Sequence, residues 1–166
     1  MFTLNQAIKR LRDITESNLQ VNPKNEQNHF GFGDLWEVGN VLTDDGALVS
    51  EKFPLVWANV GNSRVEAAEG NTQALLNIDF QILFMDLVRK GEQNEIDVLS
   101  DQLLIATDFI TALQDQNEYY EHKYNVAINS DLTSFTERFD HELAGWAMNI
   151  TFQISYSANE CAIPTA

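Results

Sequence analysis

The sequence predicts an α+β domain, with two helices packed on a mainly antiparallel sheet. Three observations carry this. The run from Gly145 to Ser157 alternates Trp146, Met148, Ile150, Phe152, Ile154 and Tyr156 with Ala147, Asn149, Thr151, Gln153 and Ser155, which is the period of a strand with one apolar face. Leu76, Ile78, Phe80, Ile82 and Phe84 alternate in the same way. Two other segments, near 4–19 and 95–116, instead repeat their apolar residues at three- and four-residue spacing, as an amphipathic helix does. The order of helix, strands, helix, strands belongs to a single domain over 1–166, with projecting loops near 40–50 and 61–73.

Thr3 followed by Gln6 has the spacing of a capping box and starts the first helix. Leu4, Ala7, Ile8, Leu11, Ile14 and Leu19 form its buried stripe, while Lys9, Arg10 and Arg12 lie on the outer side. Those three are among only ten basic residues, so this face is a basic patch on an acidic chain, a candidate for docking on an acidic neighbour. Residues 21–27 read as a loop and Phe30 to Val38 as a short strand. Asp44, Asp45 and Gly46 mark a turn between two short apolar pairs. Pro54 to Val60 is a compact strand entered through proline, where a missing amide donor costs least.

The polar stretch Gly61 to Gln73 reads as a flexible loop. In the strand that follows, Asn77, Asp79 and Gln81 share a face with Leu83, Met85 and Leu87, so its far end is covered on both sides, by this chain or by a neighbour. Glu95, Asp97 and Asp101 place negative charge in the opening turns of the second helix, where the macrodipole favours it. Its stripe is Ile96, Leu99, Leu103, Ala106, Ile110 and Leu113, widened by Val98, Ile105 and Phe109, and it lies flat on the sheet. Strands follow at Tyr124 to Ile128, Leu132 to Phe139 and Gly145 to Ser157, with a hairpin turn at Asp140 to Glu142.

The net charge of -15 leaves no basic footprint for tight binding to nucleic acid. It is compatible with a ring whose negative lumen repels phosphate, so that DNA slides through without specific binding. Cys161 is the single cysteine, which excludes an intrachain disulfide. No apolar stretch approaches the roughly 20 residues of a membrane helix, and a soluble protein is expected.

Chemistry is poorly represented. Phe30-Gly31-Phe32-Gly33 lacks the third glycine of a dinucleotide loop, and no Gly-Lys-Ser/Thr triplet exists. His29, His122 and His141 are far apart and fall in expected loops, which suits surface residues better than metal ligands. Asp140, His141 and Glu142 form the densest titratable cluster; a hairpin turn explains it, and a small metal-dependent hydrolase or nuclease is the alternative reading. Asp97 and Asp101 share a helix face for reasons of helix electrostatics alone. The expectation is a non-enzyme with no metal and no cofactor.

The first helix, the strands containing PLVWANV and LNIDFQILFMDLVRK, the helix IDVLSDQLLIATDFITAL and the closing strand GWAMNITFQISY together resemble the tail-terminator or tail-completion proteins of tailed bacteriophages. The resemblance runs from Thr3 to Cys161, outside the two loops, and lies in element order and strand texture. It implies a virion structural protein at the head-tail junction: a terminator or connector ring, hexameric before dodecameric, that caps the tail tube, meets neck and tube proteins, and is assembled in the host cytoplasm. It transfers no active-site residues. Subunit or partner contacts are expected at Asn149, Thr151 and Gln153, at Leu83 and Met85, at Asp44 and Asp45, and on the basic face of Lys9, Arg10 and Arg12. A soluble adaptor that never forms a ring is the remaining alternative.

Overall fold

The computed structural model describes residues 2–23, 29–34, 37–38, 52–67, 73–88, 94–114, 124–128, 131–138 and 142–157. Helix α1 (Leu4–Ser17) begins as expected: the Gln6 amide donates to Thr3 Oγ1 (3.3 Å) and the Thr3 amide donates to Gln6 Oε1 (2.8 Å), closing the capping box. Six strands follow in one mixed sheet, β1 (Phe30–Phe32), β2 (Leu55–Ala67), β3 (Gln73–Val88), β4 (Tyr124–Ile128), β5 (Thr133–Arg138) and β6 (Glu142–Ser157), with α2 (Glu95–Leu113) between β3 and β4. The lateral order is β1-β2-β3-β6-β4, and β5 lies beside the other half of β6. Only β1 against β2 is parallel.

β3 and β6 form the centre, paired residue for residue from Gln73↔Ser157 to Val88↔Glu142. Both were legible because both alternate. Phe80, Ile82 and Phe84 on β3 and Met148, Ile150, Phe152 and Ile154 on β6 are buried on the side covered by the helices, where Leu11, Ile105, Ala106 and Phe109 meet them. Phe84 and Phe109 pack edge to face with ring centres 5.3 Å apart. The N-terminal half of α2 is pinned to the sheet by Trp146, whose Nε1 donates to Leu99 O (2.8 Å), and by Thr136 Oγ1, which donates to Glu95 Oε1 (3.0 Å).

The second helix is rotated from its expected setting. Its buried face is Val98, Gln102, Ile105, Ala106, Phe109 and Leu113, while Ile96 is 79% exposed and Leu99, Leu103 and Ile110 are only partly covered. A helix apolar around most of its circumference does not announce its inner side. Gln102 lies within that buried face, and neither its amide nitrogen nor its carbonyl oxygen has a hydrogen-bond partner.

Residues 61–67 are also corrected. They continue β2, which pairs with β3 out to Ala67↔Ala74, with one extra residue accommodated as a bulge between Val60 and Ser63. Residues 61–66 are all exposed, so this arm carries no buried face and hence no alternation to read. The strand expected over Phe30 to Val38 is limited to Phe30–Phe32. Gly31 sits there because a Cβ would fall 2.1 Å from the Trp57 ring.

Candidate assembly surface

The face of the sheet turned away from the helices is divided in two. Its lower half is a second apolar cluster, in which Leu55, Trp57, Leu83, Met85 and Leu143 are buried beneath Val38 and Phe53, with Phe135 and Ala147 alongside. Leu83 and Met85, expected at a subunit contact, therefore sit inside this chain's own packing, with Met85 only 1% exposed. The cover over the far end of β3 comes from the segment before β2. Trp57 Nε1 donates to Gly33 O (3.0 Å) and ties that segment down.

The upper half is polar, and no apolar cluster of the described residues covers it. Register places Asn59, Gln81 and Asn149 in one row across β2, β3 and β6, and Asn77, Gln153 and Asn125 in another across β3, β6 and β4. Asn149 and Asn125 are exposed, and Asn59, Gln81, Thr151 and Gln153 are half-buried. Asn125 Nδ2 donates to Gln153 Oε1 (2.9 Å), and, in the row between those two rows, Thr151 Oγ1 donates to Asp79 Oδ1 (2.6 Å), which holds that carboxylate against the neighbouring strand. Asn77 is buried among them with its Oδ1 unpartnered. The structure thus brings the expected trio Asn149, Thr151 and Gln153 together with Asn59, Gln81 and Asn125. Strand pairing decides that association, and no local pattern encodes which strands are neighbours.

The basic face of α1 is partly spoken for. Arg10 is half-buried: its Nη2 donates to Ala112 O (3.1 Å) in the last turn of α2, where the helix dipole favours a cation, and its guanidinium hydrogen-bonds the Tyr124 side chain. Burial pushes the Tyr124 hydroxyl above its ordinary pKa, and the nearby Arg10 charge opposes part of that rise. Arg12 lies over the Phe30 ring at 5.6 Å, leaving Lys9 as the exposed cation of the three with no such contact described. His29, expected at the surface, is 7% exposed; its Nδ1–H donates to Pro54 O (3.1 Å).

Asp44, Asp45, His122, Asp140, His141 and Cys161 lie outside the described residues. Among the described residues no three His, Cys, Asp or Glu side chains are grouped to hold a metal ion, and no helix is long and apolar enough to cross a membrane. Comparison of the sequence with protein-family models and with curated proteins finds no match.

Proposed function

We propose that this chain is a ring-forming structural subunit at the head-tail junction of a tailed bacteriophage, a tail terminator or connector that caps the tail tube and meets the neck. The observation that carries this reading is the open upper face of the sheet. On a chain of net charge -15, an ordered surface built from Asn59, Gln81, Asn125, Asn149, Thr151 and Gln153 is where electrostatic repulsion between copies is weakest and hydrogen-bonding capacity is high. Acidic residues elsewhere then line a channel through which DNA passes ungripped. The role is mechanical, with adjoining neck and tail-tube proteins as partners.

Light scattering with negative-stain imaging tests it. Closed rings with a central channel, of six copies in the first instance, are the expected result. A particle that stays monomeric at high concentration and binds neither tube nor connector proteins overturns the reading. Asn149→Lys together with Gln153→Lys adds charge to the open face and is expected to lower the assembled fraction while leaving the circular dichroism spectrum intact.

A further inference from the structure

The two sides of the sheet are finished differently along their length. Beside the lower part of β2, β1 closes the edge: the Val56 amide donates to His29 O (2.9 Å) and the Gly33 amide donates to Ala58 O (3.1 Å). Above Ala58, no strand among the described residues pairs with the outer side of β2. On the far side, β4 pairs with the upper half of β6, and its outer side also has no strand among the described residues. Both open edges lie at the same height, because one register row runs Val65, Leu76, Ile154, Tyr124 across the four strands and the next runs Ser63, Ile78, Phe152, Val126.

The direction of the backbone groups follows from alternation. Val56 and Ala58 turn outward, so Val60 does too. Phe80, Ile78 and Leu76 share parity on β3, and their partners across the bulge are Val60, Ser63 and Val65, so Ser63 and Val65 also point out of the sheet. In each such row the β2-β3 pair is then without mutual hydrogen bonds, the β3-β6 pair is bonded, and the β6-β4 pair is again without. Tyr124 and Val126 therefore present their N–H and C=O outward. An even number of strands makes the two edges complementary in phase.

The geometry points to a contact between copies: we propose that the outer side of β2, over 60–66, receives β4 of the next copy, with Val65 opposite Tyr124 and Ser63 opposite Val126. The proposal rests on the ring reading above and adds a contact at the rim of the polar face, with Asn125 the residue common to both. The chain sense fits without inversion, since β2 runs with β6 and β4 runs against it, so the new pair is antiparallel. The helices stay on one side of the continued sheet. Because the edges share a height, each addition carries no step along the strands, the condition for a heterologous contact to close into a ring instead of a filament. The edges also have the chemistry of a covered surface. β4 reads Tyr-Asn-Val-Ala-Ile, with no charge and no proline to deter pairing. On β2, Arg64 and Glu66 neutralise each other at 2.9 Å, and Val65, 56% exposed, comes to lie beside the β4 side chains of its neighbour.

Proline tests this, since it deletes an outward N–H that makes no ladder bond within the subunit. Val65→Pro blocks the β2 edge and Val126→Pro blocks the β4 edge. Each variant is expected to be folded and monomeric by sedimentation, and an equimolar mixture is expected to give a heterodimer, because one unblocked edge of each kind survives. Rings of wild-type size in either variant, or a mixture that stays monomeric, overturn the edge contact while the ring reading stands; a monomeric wild type overturns both. Should a proline variant fail to fold, Arg64→Cys with Asn125→Cys in a Cys161→Ser background provides the second measurement. Both positions are exposed and fall opposite each other as a narrow pair, with Cα atoms about 4.5 Å apart, within disulfide reach. Oxidation of assembled protein should yield a covalent ladder on a non-reducing gel, and its absence overturns the contact.

Discussion

Gln102 offers a direct measurement of what a buried amide costs this fold. It is 1% exposed on the inner face of α2, between the turns that carry Val98 and Ile105, and both side-chain polar atoms lack partners. Burying an unpaired amide costs roughly 1–3 kcal/mol by mutational experience. Gln102→Met keeps the unbranched shape and a similar helix propensity while removing both polar atoms; repacking of a volume-conserving swap takes back up to about 1.5 kcal/mol. Together these terms span roughly -0.5 to +3 kcal/mol; a net gain of about 1 kcal/mol, near the middle, is expected, which for a chain of this size raises the melting temperature by roughly 2–4 °C. Urea denaturation at matched protein concentration should show a higher midpoint with an unchanged slope, since the surface exposed on unfolding is nearly the same. A loss of more than about 0.5 kcal/mol would refute the reasoning, because repacking alone does not account for it and the amide would have to be hydrogen-bonded in the folded protein, to a buried water or a shifted neighbour.

Three further outcomes follow from the same packing. Met85→Ala, inside the second apolar cluster, should cost about 2–5 kcal/mol in urea denaturation, whereas Asn149→Ala on the open face should stay within about 0.5 kcal/mol; equal effects would contradict the division of that face into a packed half and an open half. Gly145→Ala places a Cβ 1.9 Å from the carbonyl oxygen of Phe84, in the central β3-β6 ladder where backbone cannot yield cheaply, so a loss near the upper end of the overpacking range, about 3 kcal/mol, is expected by the same assay. Tyr124 is held neutral by burial, so the unfolded chain gives up this proton first as pH rises: stability should fall as pH passes the ordinary tyrosine value of 10.0, and Tyr124→Phe should flatten that limb relative to wild type. Identical pH profiles for the two proteins would remove Tyr124 as the cause.

What the sequence reveals and hides here has a physical logic. β6 and the start of β3 are legible because each has one face on the helices and one face in the open, so large apolar and uncharged polar groups alternate without interruption from Met148 to Ser155. The arm 61–66 is the opposite case: with both faces exposed, Asn62, Ser63, Arg64 and Glu66 carry the composition of a loop although the strand is paired. In α2 the excess of apolar residues obscures the inner face, and the structure turns Ile96 to solvent and Gln102 to the core.

The candidate surface lies one level further from the sequence. Asn149, Thr151 and Gln153 could be found on their own strand, but their companions Asn59, Gln81 and Asn125 come from three other strands, and among the described residues no strand borders β2 above Ala58, where β1 stops, or the outer side of β4. Strand order and register create those edges. The same order explains why the uncharged strand Tyr-Asn-Val-Ala-Ile matters: in the middle of a sheet its composition would be ordinary, and at the rim of a sheet on a chain of net charge -15 it is the place with the least protection against pairing with another copy. A negative chain that assembles needs such a place, since each added subunit brings like charge, and backbone hydrogen bonds between neutral strands supply attraction that neither that charge nor salt strongly modulates. The assembled state should accordingly persist over a wide range of ionic strength when measured by sedimentation, whereas a contact made by the exposed Lys9 on an acidic neighbour would weaken progressively as salt rises toward about 1 M, where the screening length falls to about 3 Å.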